Sequence, residues 1–331
     1  MTFDEKITAL KNRIEENLLP LVDSDYVLWD LPYHDNIGDI LIWEGELNFL
    51  RGVNHKCLDF NSVDTYLFPP LAKNTIILLH GGGNFGDVWR RHQEFRLKVI
   101  RHYPDNRIII FPQTVYYENR DMLQEDAKVM AGHDKLIICA REERSYEILK
   151  THFRNEILLL PDMAFCIDRQ KLGRWKKKQV DRDLFLKRMD KELKEDMPVP
   201  EGMEIRDWPS IERNLFVTDI LRIILGINRR LERFGIHFLR NFFYVLADRY
   251  ACKVFRPLFV RKGVLFLYPY RNIYTTRLHV MILSVLLCKK CCFIDNSYGK
   301  NSAFYEAWLK DLPEISPWKD WGNLGQDDCR F

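Results

Sequence analysis

An arginine and a histidine two positions apart mark the part of this sequence best suited to chemistry. Arg277 and His279 lie between a β-type run, Ile273 to Thr275, and an apolar run that starts at Val280. Such a strand-to-helix junction places side chains beside a helix N-terminus, which favours anions. Arginine supplies a fixed cation, and histidine a proton donor that titrates near neutral pH. The pair predicts a site for a phosphorylated or carboxylated molecule, with a hydrogen-bonded core histidine as the alternative.

A glycine-rich stretch from His80 to Asp87 follows an apolar run in the N-terminal half. Three consecutive glycines permit backbone conformations and close approaches that side chains would block. We therefore predict a loop that cradles a ligand, with a tight strand-to-helix turn as the alternative. The spacing matches neither G-x-G-x-x-G nor a P-loop, so no nucleotide is predicted. The candidate residues of this loop are Gly81, Gly82, Gly83, Asn84 and Asp87.

Three further positions lie at predicted element ends. Asn36 and Asp39 open a predicted helix, where they could hold a ligand, although an N-cap with an acidic first turn is the favoured interpretation over direct catalysis. Gln113 and Arg141 follow predicted parallel strands, at the edge where α/β sheets bind ligands. The Arg141 guanidinium could pair with a phosphate or carboxylate, or form a plain salt bridge to Glu142 or Glu143.

Alternating β-rich and amphipathic runs predict an α/β protein. The predicted strands are 26–31, 75–80, 107–111, 136–140, 184–187, 273–275 and 292–294, and the predicted helices are 40–50, 91–103, 122–132, 142–152 and 280–288. A basic polar stretch after Pro161-Asp162 is typical of a linker. We therefore predict two Rossmann-like domains facing a cleft, 1–172 and 180–331.

Residues 220–262 break this pattern, because they carry ten Lys and Arg residues against few acids. Leu231, Phe234, Phe238, Phe242 and Leu246 follow helical spacing, which predicts a helix with one apolar face and one basic face. Such a helix could lie on an anionic bilayer. Alternatively, its aromatic residues pack on the protein's own core and its arginines face solvent. Amphipathicity alone does not separate the two interpretations.

Composition excludes several classes of protein. The chain of 331 residues is 47% hydrophobic and 29% charged with a net charge of +3, which argues against disorder and against a nucleic-acid-binding protein. No signal sequence or bilayer-length apolar run is present, so a cytoplasmic location is expected. The eight cysteines are interpreted as reduced thiols. One C-x-x-C, at Cys288 and Cys291, lacks partner ligands, so no metal site is predicted.

Several motifs in order resemble the polysaccharide pyruvyl transferase family across most of the chain. They are Asn36-x-Gly38-Asp39, His80-Gly-Gly-Gly-Asn84-x-Gly86-Asp87, Ala140-Arg141-Glu142-x-Arg144-Ser145, Pro161-Asp162, Arg188-x-Asp190, Thr276-Arg277-Leu278-His279 and Asp295-Asn296-Ser297-Tyr298-Gly299-Lys300. The last two are the most specific. The resemblance implies a GT-B-like fold, with the donor site in the C-terminal domain and the acceptor side, including the glycine-rich loop, in the N-terminal domain.

The resemblance also implies a reaction. The pyruvyl group of phosphoenolpyruvate would move onto two hydroxyls of a sugar, forming a cyclic ketal and releasing phosphate, with no metal or cofactor beyond this co-substrate. His279 is the expected general acid, and Arg277, Arg141 and Leu278 the expected donor-binding residues. Tyr298 and Lys300 join Asn36, Asp39, Gln113 and the glycine-rich loop as expected acceptor-binding or loop residues.

The acceptor would be a saccharide, expected to be lipid-linked, in the synthesis of a bacterial capsule or exopolysaccharide. Residues 220–262 could then bring the enzyme to the inner face of the plasma membrane. Two alternatives remain open at this stage: a GT-B glycosyltransferase that uses a nucleotide sugar, and a non-catalytic scaffold of polysaccharide assembly.

Overall fold

The computed structural model describes residues 1–175, 178, 180–188, 203–213, 215–295 and 299–318, except for the side chain of Glu232. The chain has an α/β fold built on two parallel sheets, one from each half of the sequence. This arrangement confirms the predicted pair of Rossmann-like domains. No helix within the described ranges is long and apolar enough to cross a bilayer.

The N-terminal sheet has seven parallel strands: β1 (Tyr26–Trp29), β2 (Cys57–Phe60), β3 (Ile76–Leu79), β4 (Gly82–Gly86), β5 (Ile108–Tyr116), β6 (Leu136–Ala140) and β7 (Glu156–Leu159). Their order is β2-β1-β3-β5-β6-β7, with β4 beside the second half of β5. The surrounding helices are α1 (Phe3–Leu18), α2 (Ile37–Phe49), α3 (Arg90–His102), α4 (Arg120–Ala131), α5 (Glu143–His152) and α6 (Arg169–Gly173). Helices cover both faces, so the central strands are continuous apolar runs.

Within the described part of the C-terminal half, the sheet has five parallel strands in the order β12-β11-β10-β8-β9. They are β8 (Leu184–Leu186), β9 (Glu204–Arg206), β10 (Ile273–Thr275), β11 (Cys291–Phe293) and β12 (Ile315–Pro317). The helices of this half are α7 (Pro209–Glu212), α8 (Phe216–Arg233), α9 (Arg240–Tyr250), α10 (Arg256–Leu267), α11 (Leu278–Leu286) and α12 (Lys300–Trp308). A π-helical stretch, Ala251–Phe255, joins α9 to α10.

One hydrophobic core joins the two sheets. Helix α10 packs against α2, and α1 packs against α11. Side chains from both halves belong to the same buried cluster. A hydrogen bond also crosses between the halves, because the Trp308 indole donates to the backbone oxygen of Arg141 at 2.7 Å. These contacts fix the carboxyl ends of the two sets of strands relative to each other.

The glycine-rich stretch differs from its prediction. It was expected to be a loop or a strand-to-helix turn, but Gly82–Gly86 forms strand β4. Gly86 has a φ of 130°, and a Cβ there would lie 1.8 Å from the Tyr116 carbonyl oxygen, so only glycine fits. Pairing with β4 extends β5 to Tyr116, which places Gln113 inside a strand rather than after one.

The basic segment is also corrected. The predicted single helical face through Leu231, Phe234 and Leu246 is interrupted, since α8 ends at Arg233 and Gly235 has a φ of 73°. Helices α8 and α9 instead pack together as a helical hairpin, residues 216–250. The alternative in which the aromatic residues pack on the core is wrong for Phe234, Phe238 and Phe242, which are 80%, 82% and 62% exposed.

Candidate active site

A cavity of about 440 Å³ lies between the carboxyl ends of the two sheets. This edge is where open parallel sheets bind ligands, because the loops after the strands converge there. Residues from both halves line it. From the N-terminal half come Leu31, Tyr33, His34, Asn36, Asp39, Val63, Asp64, Gly83, Asn84, Trp89, Arg91, His92 and Arg141, and from the C-terminal half Arg188, Trp208, Ile211, Arg277, Leu278, His279 and Lys300.

Asp162 connects the two halves of the cavity wall. One of its oxygens, Oδ2, accepts a hydrogen bond from Arg141 at 2.8 Å and lies 3.3 Å from Nε2 of His279. Its other oxygen accepts from the Ala164 backbone N–H at 2.9 Å. Burial alone would raise the pKa of Asp162, but His279, Arg141 and the Ala164 amide outweigh it and hold that pKa well below its usual value. A permanent carboxylate therefore orients both the arginine and the histidine.

Arg277 is held by a second buried carboxylate. Its Nε and Nη2 donate to the two oxygens of Asp207, both at 2.6 Å. The Arg277 backbone N–H donates to the Thr275 hydroxyl at the end of β10, and Arg277 occupies the N-cap position of helix α11. Arg188 follows the adjacent strand β8, and its backbone N–H donates to Thr276. Bidentate pairing fixes the guanidinium plane, so Arg277 presents its charge in one orientation.

The start of helix α2 packs directly against His279. Asn36 caps this helix by accepting from the Gly38 N–H at 3.0 Å, and it donates to Asp39 at 2.8 Å. A Cβ at position 38 would lie 2.5 Å from His279 Nδ1, so the imidazole fits only because residue 38 is glycine. Burial would raise the pKa of Asp39, but His34, His279, His80 and Arg141 lower it. A ligand in this cavity would therefore face an anionic Asp39.

A buried pair of side chains, Glu46 and His80, holds the glycine-rich strand β4 beside α2. Glu46 accepts from the Gly81 N–H and lies against His80 Nδ1, both at 2.8 Å. Burial would lower the pKa of His80, but Glu46 and the more distant Asp39 and Asp30 raise it, so the imidazole keeps its proton more readily. This ion pair fixes the segment that brings Gly83 and Asn84 to the cavity.

A further buried carboxylate, that of Asp30, orders the N-terminal wall. Asp30 follows β1 in the left-handed region, with a φ of 67°, and is fully buried. It accepts from His92 at 2.6 Å and pairs with Arg96 at 2.8 Å. Arg96 in turn donates to the side chain and the backbone oxygen of Asn84. Asp30 thus positions His92 and Asn84, which both line the cavity.

The predicted site residues divide into two groups. The structure brings together at the cavity Asn36, Asp39, Gly83, Asn84, Arg141, Arg277, Leu278, His279 and Lys300. Gly81, Gly82, Asp87 and Gln113 do not line it. Asp87 accepts from the backbone N–H groups of Glu118 and Asn119, and Gln113 donates to the His80 carbonyl. Asp87 and Gln113 therefore stabilise the backbone of neighbouring strands and loops, where their hydrogen-bond partners lie. Tyr298 lies outside the described residues.

Several residues of the site were missed as individual site candidates. Asp162 and Arg188 occur in the motifs that carried the resemblance, but neither was assigned a role in the site. Arg188 directly follows the predicted strand 184–187, which was the available signal. Asp162 comes shortly after β7, a strand that the sequence did not predict. His34 and His92 carried no such signal, since one lies in the loop before α2 and the other on α3.

Cationic side chains outnumber acidic ones in the lining of the cavity. Five Lys and Arg residues line it, against two Asp residues, Asp39 and Asp64. Arg91 pairs with Asp64 at 2.5 Å, and Arg141 and Arg277 pair with the buried carboxylates of Asp162 and Asp207. These guanidinium groups, with Arg188 and Lys300, supply the positive charge of the lining. A histidine among these cations can donate a proton to a bound molecule. Within the described ranges, no three His, Cys, Asp or Glu side chains converge as a metal site requires.

Comparisons with known proteins identify the family of this chain. The family model for polysaccharide pyruvyl transferase matches residues 36–298. EpsO of Bacillus subtilis (strain 168), which carries a provisional pyruvyl transferase name, is 30% identical over 326 residues, 95% of this chain and 94% of that protein. Pyruvyl transferase 1 of Schizosaccharomyces pombe (strain 972 / ATCC 24843) is 30% identical over 145 residues, 40% of this chain and 36% of that protein.

A solved structure shows a similar fold. The crystal structure of an uncharacterized protein from Klebsiella pneumoniae subsp. pneumoniae NTUH-K2044 superposes with a TM-score of 0.63 at 18% sequence identity, covering 94% of this chain and 99% of that one. At this identity the match supports the architecture alone. The family match covers most strands of both sheets and most of the residues that line the cavity, and on this basis the chain belongs to the polysaccharide pyruvyl transferase family.

Proposed function

We propose that this protein transfers the pyruvyl group of phosphoenolpyruvate onto two hydroxyls of one sugar, forming a cyclic ketal and releasing phosphate. The observation that supports the proposal is the Asp162 bridge, which sets a fixed guanidinium and a proton donor side by side in a cation-rich cavity. Phosphoenolpyruvate carries a phosphate and a carboxylate, so it suits a site with several fixed cations.

The donor would bind between the two halves of the molecule. Arg141 from the N-terminal sheet and Arg277 from the C-terminal sheet both line the cavity, and each is already oriented by a buried carboxylate. Because both guanidinium groups are oriented before the ligand binds, binding an anion in one pose costs less entropy. Lys300 lies near Gly83 on the glycine-rich strand and adds a third cation to this wall.

The reaction follows from a proton donor beside the bound enol ester. His279 protonates the methylene carbon, which becomes a methyl group and leaves an oxocarbenium-like centre at C2. The first sugar hydroxyl attacks C2 and returns its proton to His279. The second hydroxyl then displaces phosphate at the same carbon and closes the ring, and its proton leaves with the phosphate as hydrogen phosphate. The anionic Asp162 keeps the imidazole in place through both proton transfers.

The acceptor is proposed to be a saccharide precursor of a bacterial surface polysaccharide, carried on a lipid. The cavity opens beside polar side chains of the N-terminal wall, among them Asn36, Asp39 and Asn84, which can hydrogen-bond sugar hydroxyls. A negative Asp39 is suited to accept hydrogen bonds from hydroxyl donors.

The proposal is tested by incubating the purified chain with phosphoenolpyruvate and candidate saccharides. We expect acceptor-dependent phosphate release, and a saccharide product heavier by one pyruvyl ketal group in mass spectrometry. His279→Ala should lower phosphate release by about 10²–10⁴-fold, the usual contribution of a general acid. His55→Ala replaces an exposed histidine outside the cavity and serves as the matched control.

Ligand-dependent melting separates this function from nucleotide-sugar transfer. Phosphoenolpyruvate should raise the melting temperature, since a ligand that binds only the folded state stabilises it. Stabilisation by a nucleotide sugar instead, without phosphate release, would contradict the proposal. Wild-type turnover by His279→Ala would leave the reaction standing but assign the proton transfer to another residue.

A further inference from the structure

The helical hairpin, residues 216–250, carries apolar side chains that the core does not use. The inward face of α8 holds Leu221 and Ile224, which are 1% and 9% exposed. A second apolar stripe faces outward on the hairpin and consists of Phe216, Ile223, Ile227, Phe234, Phe238 and Phe242, all between 38% and 82% exposed. Large exposed apolar clusters of this kind mark interaction surfaces.

The outward stripe follows the period of the helix. Phe216, Ile223, Ile227 and Phe234 are spaced by seven, four and seven residues, which returns each to nearly the same side of a helix with 3.6 residues per turn. Over 18 residues this stripe extends roughly 27 Å at 1.5 Å per residue. A partner that covers the whole stripe must therefore present an extended apolar surface along the length of α8.

Basic residues accompany the stripe. Residues 216–262 contain ten Lys and Arg residues against three Asp and Glu residues. Arg229, Arg230 and Arg233 are exposed in the last turns of α8, directly before the two most exposed phenylalanines, Phe234 and Phe238. Apolar side chains flanked by arginines match the boundary of an anionic bilayer, where phenylalanine enters the acyl region and arginine contacts lipid phosphates.

The same charges disfavour a second copy of the chain. A symmetric dimer through this face would bring the arginines of two hairpins together, and like charges in contact oppose association. An anionic surface would instead attract each of these arginines.

The base of the hairpin is attached to the wall of the cavity. Thr218 donates to Asp35 at 2.6 Å, and Arg222 pairs with the same carboxylate at 2.7 Å. Asp35 lies between His34 and Asn36, which both line the cavity. A hairpin lying flat on a bilayer would consequently hold this wall of the cavity close to the lipid headgroups.

We propose that the hairpin docks the protein onto anionic phospholipid bilayers, with α8 parallel to the surface and Phe234 and Phe238 inserted. This docking does not depend on which donor or acceptor the cavity takes. It adds a means of concentrating the protein at a membrane that carries a lipid-linked substrate.

Vesicle flotation of the full chain tests the proposal without any substrate. The probes are vesicles of phosphatidylcholine with 30 mol% phosphatidylglycerol, and vesicles of phosphatidylcholine alone. We expect binding to the anionic vesicles that weakens as sodium chloride is raised, because exposed charges are screened. Phe234→Ser with Phe238→Ser should lower the affinity at least tenfold, since both rings lose their insertion.

Two further variants separate the contribution of the arginines from that of exposed apolar side chains in general. Arg229→Gln with Arg230→Gln and Arg233→Gln should lower the affinity by about 100-fold, at about fivefold per arginine near an anionic surface, and should flatten the salt dependence. Leu58→Ser removes a 52% exposed apolar side chain on β2, which is not part of residues 216–250, and should leave binding unchanged.

Three outcomes would overturn the proposal. One is no binding to the anionic vesicles, which would direct attention to a protein partner. Another is unchanged affinity in the double phenylalanine variant. The third is a vesicle-independent dimer in sedimentation velocity that this double variant abolishes. Each of these readouts is independent of phosphate release, so failure of docking and failure of the proposed reaction are distinguishable.

Discussion

The cavity and the helical hairpin are both rich in arginine, yet they use it differently. In the cavity, Arg141 and Arg277 are 1% and 4% exposed and each pairs with a buried carboxylate. On the hairpin, Arg229, Arg230 and Arg233 are exposed and flank apolar side chains. A buried guanidinium paired with a carboxylate is held in one orientation. An exposed guanidinium can change its orientation to suit a partner without a defined geometry.

This difference has an energetic cause. A buried guanidinium must be paired, because an isolated charge in the interior costs several kcal/mol. The pairing also fixes geometry, which is what a small anionic ligand requires. Exposed arginines keep their hydration and contribute little to stability, so a surface can carry many of them without a defined geometry. Substitutions should therefore have large, specific effects in the cavity and small, graded ones on the hairpin.

The largest effect is expected for Asp162→Asn. The amide cannot supply the negative charge that Arg141 and His279 share, so the variant leaves a buried guanidinium without its counterion. We expect a loss of about 3–5 kcal/mol in the free energy of unfolding, measured by urea denaturation. Phosphate release should fall by at least 10²-fold.

Asp121→Asn is the control for this substitution, since Asp121 is an exposed carboxylate in the first turn of α4. It should change both quantities little. If Asp162→Asn changed the free energy of unfolding and phosphate release as little as the control does, Asp162 would not orient Arg141 and His279. The contrast between the cavity and the hairpin would then be wrong.

The same substitution can be made in both regions at glycine. At Gly38→Ala, the new methyl group would lie 2.5 Å from His279 Nδ1, so the imidazole must move. We expect kcat for phosphate release to fall by about 10–100-fold, since a displacement of about 1 Å can cost this much. The melting temperature should change less, because alanine gains about 1 kcal/mol of helix propensity over glycine.

Gly226→Ala is the matched variant on the hairpin. It lies inside α8, where a Cβ would meet nothing within 4 Å. This substitution should stabilise the protein by about 0.4–1 kcal/mol and leave phosphate release unchanged. Equal activity of the two alanine variants would show that the contact between α2 and His279 does not control catalysis.

The smallest effect concerns the attachment of the hairpin. Asp248 on α9 accepts from Tyr33 and Thr65, both at 2.7 Å. Burial raises its pKa to about 7, assisted by Asp59 and opposed by the two hydroxyl donors. Because the folded pKa lies above the unfolded value, the stabilisation is complete below about pH 4 and is lost as the pH rises through about 7.

Asp248→Asn removes this dependence, because the amide stays neutral. We expect the melting temperature of the variant, relative to that of the wild type, to rise by a few degrees between pH 5 and pH 8. Differential scanning fluorimetry measures both melting temperatures. Asp219→Asn, on an exposed position of α8, is the control. A difference that does not change with pH would contradict a buried, titrating Asp248.

Much of the fold was predictable because the period of the apolar residues identifies the elements. Strands β6 and β10 begin and end where the sequence predicts, and α5 begins one residue later than predicted. The short strands β2, β7, β9 and β12 were not predicted, since three or four residues with partly exposed side chains give no clear period. Strand β4 was missed because glycine-rich sequence is rarely extended.

The hairpin shows where the pattern was insufficient. Apolar residues at intervals of three and four continue from α8 into α9, so the sequence predicts one helix across Gly235. The positive φ of this glycine ends α8 and reverses the chain. Only packing of the two helices against each other, and of α9 against Tyr33 and Thr65, decides which apolar residues remain outside.

The sequence by itself determined which residue types stand at the ends of the strands, and therefore the resemblance to the family and the cationic side chains that the site contains. The tertiary structure alone decided the pairing of charges. Asp162 and His279 are separated by 117 residues, and Arg277 and Asp207 by 70. Local periodicity contains no information about such pairs. They form because two sheets, packed through one hydrophobic core, bring their carboxyl edges to the same cavity.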